Sequence, residues 1–480
     1  MASKRDQLQA YQFVVQRATS ALVVGETDPE QPPFRRPVSA SFTGLALAIV
    51  ALACAGVYGM IVPGGNDAWR DADAVIVEEE TGTRFVYLDG RLHPVTNYAS
   101  ARLLAGANAP TRGVSRDSMV DVPRGPRLGI PDAPDALPGK ERLLTGAWSL
   151  CSTPARDVAG GRVEESVLLV GATPAGGRAL ADHALPVRLA ETEDRYLVWR
   201  GHRHRLDDYP VTGTGLALTA QPWARVGRAW LDVLPEGEPV SPIPVPDAGK
   251  RSTAVPGRDD LRIGALLQVL TTSGMTQYYL AARDVLIPIT ELQYDVQRAY
   301  APTRTAYGDG EPTALPLSSS LATTANRRDP PDPADHTDGD LPARLPPIAD
   351  LRDGASTVCA VFAPDIATPR LLVDATPPPA DPLAVTTRRS PDGTPLADRV
   401  HVRPGWAAVV EAMPSATAQV GTLTVVTDAG RRYSVVSPEV LGTLGYGDVH
   451  PVRMPGGLVA RLPAGPALDP AAAARQSPVS

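Results

Sequence analysis

The sequence predicts a single-pass membrane protein: an N-terminal cytoplasmic α-helix, one transmembrane helix, and a large exported body that is mainly β with short helices (α+β). Three observations predict it. Thr43–Val62 holds about twenty residues with no charge, and at about 1.5 Å rise per residue such a stretch crosses the roughly 30 Å hydrocarbon core of a bilayer. The flank before this stretch is basic and the flank after it is not. Pro (50) and Gly (42) are abundant in the 480 residues while aromatics are 5%, which favours turns and short strands over long helices.

A chain of this length holds two or three ordinary domains, or one large domain of repeated units. Net charge is −7, with Lys and Arg scattered among Asp and Glu, so there is no electrostatic footprint for nucleic acid.

Residues 1–42 form the head. Between Asp6 and Val24 the residues Leu8, Tyr11, Val15, Ala18 and Leu22 fall at spacings of three and four, a narrow helical stripe. Gly25 is a plausible stop, and the Pro-rich Glu30–Pro37 is expected to break regular structure before the bilayer. Two roles fit the stripe: docking to a cytoplasmic partner, or resting on the membrane surface.

The membrane helix is expected over 43–62. Lys4, Arg5, Arg17, Arg35 and Arg36 precede it and Arg70 alone lies just after it, so by the positive-inside rule the head stays cytoplasmic and the body is exported. A cleaved signal peptide fits less well, because its apolar region is usually about 7 to 15 residues behind a short basic segment. Cys54 reads as a small apolar residue of this helix. Gly44, Ala48, Ala51, Ala55 and Gly59 are spaced by three or four, as close helix packing in lipid requires.

In the body, residues 63–130 read as a first repeat. Short β-type runs at Val75–Val77 and Arg84–Leu88 flank a turn at Thr81–Thr83, and a second turn follows at Asp89–Gly90. Thr96–Asn97 then starts a helix that stops at Gly106. The pattern recurs at Gln277–Gln297 and Arg432–Gly447, and more loosely at Arg195–Asp208, which suggests an array with repeats at 195–250, 277–325 and 431–480. The exits recur as well: Pro123 with Gly125, Pro235 with Gly237, and Pro463 with Gly465. Proline fixes φ and glycine permits a tight turn, so each pair is expected to end a unit.

Between the repeats, Ala147–Pro154 with Glu165–Gly171 and Ser356–Pro364 with Pro369–Ala375 read as strands of a central sheet whose halves are related by a rough two-fold. The central domain is expected over 131–194 and 348–430, with a further strand within 251–276. Residues 326–347 read as a solvated Pro- and Asp-rich loop. Cys151 and Cys359 sit in matched contexts on the two halves, and an exported setting makes a disulfide between them the expectation. Closing so long a loop stabilises by roughly 4 to 5 kcal/mol in the chain-entropy treatment.

No catalytic residue, metal ligand set or cofactor site stands out. Gly139-Lys140 is followed by Glu141 and Gly249-Lys250 by Arg251, so no P-loop is present, and neither a G-x-S-x-G elbow nor HExxH occurs. Glu78–Glu80 on an extended chain point to alternate faces and read as a solvated hairpin end. His202 and His204, beside Arg203 and Arg205, read as a basic loop tip. Asp335, Asp338 and Asp340 lack the spacing of a calcium loop.

Several long stretches resemble a known family. Gln7–Gly25, Val77–Gly106, Val122–Pro138 and Leu444–Ala473, read in that order with the single membrane segment, are similar to EccB, a membrane component of the type VII (ESX) secretion systems of actinobacteria. The resemblance implies a cytoplasmic helix, one pass of the inner membrane, and a periplasmic body with a central domain and four repeat domains. It also implies assembly with EccC (the motor ATPase), EccD, EccE and other EccB copies, with the mycosin protease nearby. The expected function is a structural subunit of that complex. The alternatives are a membrane-anchored exported ATPase or hydrolase, since the family is sometimes labelled ATPase, and a cell-wall-binding module.

Overall fold

A computed structural model describes residues 3–23, 25, 35–61, 69–70, 73–107, 109–157, 159–271, 274–329, 332, 336–351, 356–379 and 385–477. Two compact units are present: Met1–Ala72 with Ile76–Thr83 and Thr111–Pro123, and Asp73–Val75 with Arg84–Pro110 and Arg124–Ser480.

The chain opens with α1 (Lys4–Val23) and α2 (Arg35–Ile61). The second helix starts at Arg35, so the break expected through Pro37 is corrected there. In the first turn of a helix a proline gives up no intrahelical N–H bond, and its fixed φ is already helical. Val62 and residues 26–34 lie outside the described residues. Within α2, Ser39–Tyr58 has a mean hydropathy of 2.1, and among the described residues it is the one helix long and apolar enough to cross a membrane.

The body then repeats one order of elements. It begins with β1 (Val75–Glu78), β2 (Arg84–Leu88), β3 (Arg91–Pro94), α3 (Tyr98–Ala105) and β4 (Thr111–Val114). Asn97 caps α3 by accepting the Ser100 N–H at 2.9 Å, and Gly106 at φ 89° ends it. Next come β5 (Trp148–Arg156), β6 (Arg162–Leu169) and β7 (Ala175–Ala179).

The order returns as β8 (Leu185–Leu189), β9 (Arg195–Trp199), β10 (His202–Arg205), α4 (Tyr209–Gly215) and β11 (Ala224–Val226), with α5 (Arg228–Leu231) after it. It returns again as β12 (Leu266–Leu270), β13 (Thr276–Ala281), β14 (Leu286–Ile289), α6 (Glu291–Ala299) and β15 (Leu315–Pro316), with α7 (Ala301–Arg304) and α8 (Ser319–Thr324) around the last strand. After β16 (Val358–Phe362), β17 (Arg370–Thr376) and β18 (Arg399–His401), it closes as β19 (Ala408–Met413), β20 (Thr422–Val426), β21 (Arg432–Ser434), α9 (Pro438–Leu441) and β22 (Val452–Pro455). The short α10 (Gly456–Val459) and α11 (Pro470–Ala473) follow.

In the second, third and fourth of these sets the first strand lies inside its sheet, antiparallel to the second and parallel to the strand after the helix. This corrects the sequence in three places. The second set starts at β8 and not at 195, the fourth at β19 and not at 431. The strand expected in the central sheet within 251–276 is β12, paired with β13 and β15. Flanked by a strand on each edge, these strands are mostly apolar, with one polar residue each (Arg188, Gln268 and Glu411), and so resemble strands of a buried central sheet.

The central sheet has six strands in the order β18-β6-β5-β16-β17-β7. Its inner four are the four apolar runs predicted. A rotation exchanging β5 with β16 and β6 with β17 relates them, but the outer strands break it: β18 is parallel to β6 and β7 antiparallel to β17. Alternation along the strands sends Trp148, Leu150, Val358, Ala360 and Phe362 into the main core, shared with β8, β11 and β19, and Cys151, Cys359 and Val361 to the opposite face.

The short helices pack in pairs. A Cβ on Gly215 of α4 would lie 2.6 Å from the Asp295 carbonyl oxygen and 2.8 Å from Val296 Cα, so α4 and α6 meet backbone to backbone. Ala99 and Leu103 of α3 share a core with Val440, Leu441, Leu444 and Tyr446. Thus α3 leans on the fourth set, and α4 of the second set on α6 of the third.

Candidate functional site

The predicted positions fall in four places. On α1, Leu8, Tyr11, Val15, Ala18 and Leu22 are all exposed, as are Phe13 and Val14, so the helix carries apolar surface beyond the predicted stripe. On α2, Gly44, Ala48, Ala51, Ala55 and Gly59 fall within one face at 100° per residue. The first four are exposed, and a Cβ at Gly44 would meet nothing within 4 Å.

In the central sheet, Cys151 and Cys359 face each other across β5 and β16 and are bonded, with Cα atoms 4.0 Å apart at a sequence separation of 208. Both are fully buried. The expected disulfide is present, and it ties the strands that begin the two halves of the sheet.

The exits are more than stops. Each runs as a bridged, parallel neighbour of the third strand of its set: Arg124 and Leu128 beside Leu92 and Val95, Glu236 and Val240 beside Arg203 and Leu206, and Ala464 and Leu468 beside Arg432 and Val435. In each case the glycine N–H donates to that strand, Gly125 to Leu92 at 3.0 Å, Gly237 to Arg203 at 3.0 Å, and Gly465 to Arg432 at 2.7 Å.

Glycine is required there for a reason other than the tight turn expected. None of the three has a positive φ. A Cβ on Gly125 would overlap the His93 ring, one on Gly237 the His204 ring, and one on Gly465 the Tyr433 ring. The two histidines repeat a further contact: His93 Nδ1 lies 3.0 Å from the Pro126 carbonyl and His204 Nδ1 2.8 Å from that of Glu238. His202 and His204 are therefore buried residues of β10, which corrects the basic loop tip, and burial holds His204 below the usual imidazole range.

Glu78 departs from the solvated hairpin end as well. It is 6% exposed, accepts a hydrogen bond from Arg116 Nε at 2.9 Å and another from the Thr81 hydroxyl. That bond and the nearby charge raise the guanidinium of Arg116 above its ordinary value.

Arg102 carried no signal in the sequence, where it looks like the solvated face of a short helix. It is 9% exposed and donates through Nη2 to the Thr443 carbonyl at 3.1 Å and through Nη1 to that of Ala109. It thus ties α3 to the fourth set, and the Tyr446 hydroxyl ties that set to the segment before β5, donating to the Pro138 carbonyl at 2.7 Å. Chemically the arrangement offers joints: a covalent tie, ring-on-glycine contacts and arginine bonds to carbonyls. Among the described residues no group of three or more His, Cys, Asp or Glu could hold a metal ion.

Residues 1–478 of the chain match the family model described as type VII secretion system ESX-1, transport TM domain B. The chain is similar to the ESX-2 secretion system ATPase EccB2 of Mycobacterium tuberculosis, 32% identical over 280 residues that cover 56% of this chain and 54% of that protein, about half its length. It is also similar to the ESX-5 secretion system ATPase EccB5 of the same species, 28% identical with 97% and 92% covered. Its fold resembles a chain of an intact ESX-5 inner membrane complex (TM-score 0.63, 24% identity, covering 100% of this chain and 96% of that one). It also resembles an EccB3 dimer from the ESX-3 core complex (TM-score 0.59, 24% identity, 84% and 100%). With one helix, among the described residues, long and apolar enough to cross a membrane ahead of a β-rich body, and with residues 1–478 matched by one family model, this chain is a member of the EccB family of type VII secretion membrane proteins.

Proposed function

We propose that this chain is a structural, non-catalytic subunit of a type VII secretion complex in the inner membrane, joining a cytoplasmic motor side to a periplasmic scaffold. The observation that carries the reading is the pairing of α1, whose apolar side chains are exposed, with an unburied membrane-length helix, α2, ahead of a body whose arginines, rings and cysteines serve its own joints. Membrane complexes of related proteins support it. The basic flank before the span supports a cytoplasmic head and a periplasmic body.

On this reading α1 docks on EccC, the small-residue face of α2 packs against helices of EccD or EccE in the lipid bilayer, and the body's four repeat domains meet other EccB copies, with the mycosin protease near them. The dimer of a related protein supports the last contact.

Replacing Ala48 and Ala55 together by Leu tests the role of α2. Overpacking a close helix contact costs about 1 to 3 kcal/mol, so the assembled fraction should fall about tenfold or more while membrane insertion is unchanged. Co-purification and carbonate extraction read the two quantities. Unchanged assembly would leave α2 as a tether alone.

A further inference from the structure

Glu164 and Arg225 meet where β11 and α5 of the second set rest on the central sheet. The Glu164 side chain is 3% exposed and lies 3.9 Å from Arg225 Nε, beyond hydrogen-bond range. Glu164 Oε2 and Arg225 Nε are both buried, and among the described residues neither has a hydrogen-bond partner. Next to them the Gly227 N–H donates to Ser152 Oγ at 3.2 Å across the seam, beside the apolar core that Ala224, Val226 and Trp230 share with the central sheet.

The other charged groups at this spot are few. Arg162 lies on Glu164's own strand, and Glu191, in the turn after β8, accepts the Arg228 N–H at 3.1 Å. On β5 the residue opposite Glu164 is Pro154, and Thr153 beside it is uncharged. Arg228, the first residue of α5, points its side chain toward Asp232, 3.8 Å away.

From this geometry we infer that Glu164 is a proton-operated latch between the central sheet and the second set, closed while its carboxyl is neutral and loosened when it ionises. A neutral carboxyl tolerates the unmade bond, whereas a carboxylate at that depth must either draw Arg225 from the Ala190 carbonyl, to which its Nη2 donates at 3.5 Å, or reach water, and each loosens the seam beside β11. Burial pushes the Glu164 carboxyl up to about 7, Arg225 and Arg162 oppose this, and Glu191 adds to it.

The sign follows from the raised value. The closed seam holds a proton that the open seam releases above the ordinary carboxylate range, so closure is favoured at low pH and is lost as pH rises toward 7. The opening equilibrium should grow about tenfold per pH unit between about pH 5 and pH 7 and level off above.

Amide exchange of the full chain in detergent tests this, with Glu164→Gln as the reference at each pH so that the intrinsic exchange rate cancels. Protection of the Gly227 amide should be equal in the two proteins at pH 5, and by pH 7 should be lower in the wild type by at least tenfold. A constant ratio across that range would overturn the latch. The wild type provides a second reading without the variant: protection of Gly227 should fall over this window while that of Val198, inside the same sheet, holds. Parallel behaviour of the two amides would also overturn it.

Discussion

Replacing both Cys151 and Cys359 by Ser is expected to lower the stability of the body by about 5 kcal/mol. The bond spans 208 residues, so its loss returns the loop-closure entropy of nearly half the chain to the unfolded state. The native side loses as well. Both sulfurs are fully buried beside Val361, Leu372 and Ala375, and two serine hydroxyls there would need partners that an apolar face does not supply. Urea denaturation of the body with and without reductant reads the difference, and the double variant should match the reduced wild type to within the cost of the two hydroxyls. A midpoint unmoved by reduction would remove the disulfide from the account of stability.

Gly237→Val is expected to cost about 3 kcal/mol. A side chain there meets the His204 ring and, at 2.8 Å, the Gly339 carbonyl oxygen, so neither a ring flip nor a loop shift alone makes room. Gly465→Val, facing the Tyr433 ring, should behave alike. Gly227→Ala serves as the control, because its φ is −79° and the nearest atom to an added Cβ is 4.0 Å away. It should change stability by less than about 1 kcal/mol. Thermal denaturation of the three variants checks the ranking, and a control as damaging as the two valines would mean that ring contact is not what requires glycine.

Much of this was legible in the chain. The apolar helix shows in a run of uncharged residues, the inner strands of the central sheet show in paired apolar runs, and the cysteine bond shows in two matched contexts. What was missed has two causes. β8, β12 and β19 are interior strands of small sheets, and apolar sequence alone does not say which sheet buries them. β7 is AGGRA, exposed throughout and carrying no apolar signal.

The joints were hidden for a related reason: they depend on contacts far apart in sequence. Arg102 reaches Thr443 across 341 residues, and nothing near either predicts the other. His204 looked like a loop tip because its neighbours are arginines, although Arg203 turns to Asp232 and Glu236 at 2.7 Å each and leaves the ring inside. Pro37 looked like a break because its place in the first turn of α2 depends on where that helix begins.

The claim that this chain is a scaffold within a secretion complex is tested most directly by its size in native membranes. Solubilised in mild detergent, the intact chain should migrate in a very large assembly together with an EccC-like ATPase. Migration as a monomer or an isolated dimer, with no motor subunit alongside, would contradict it.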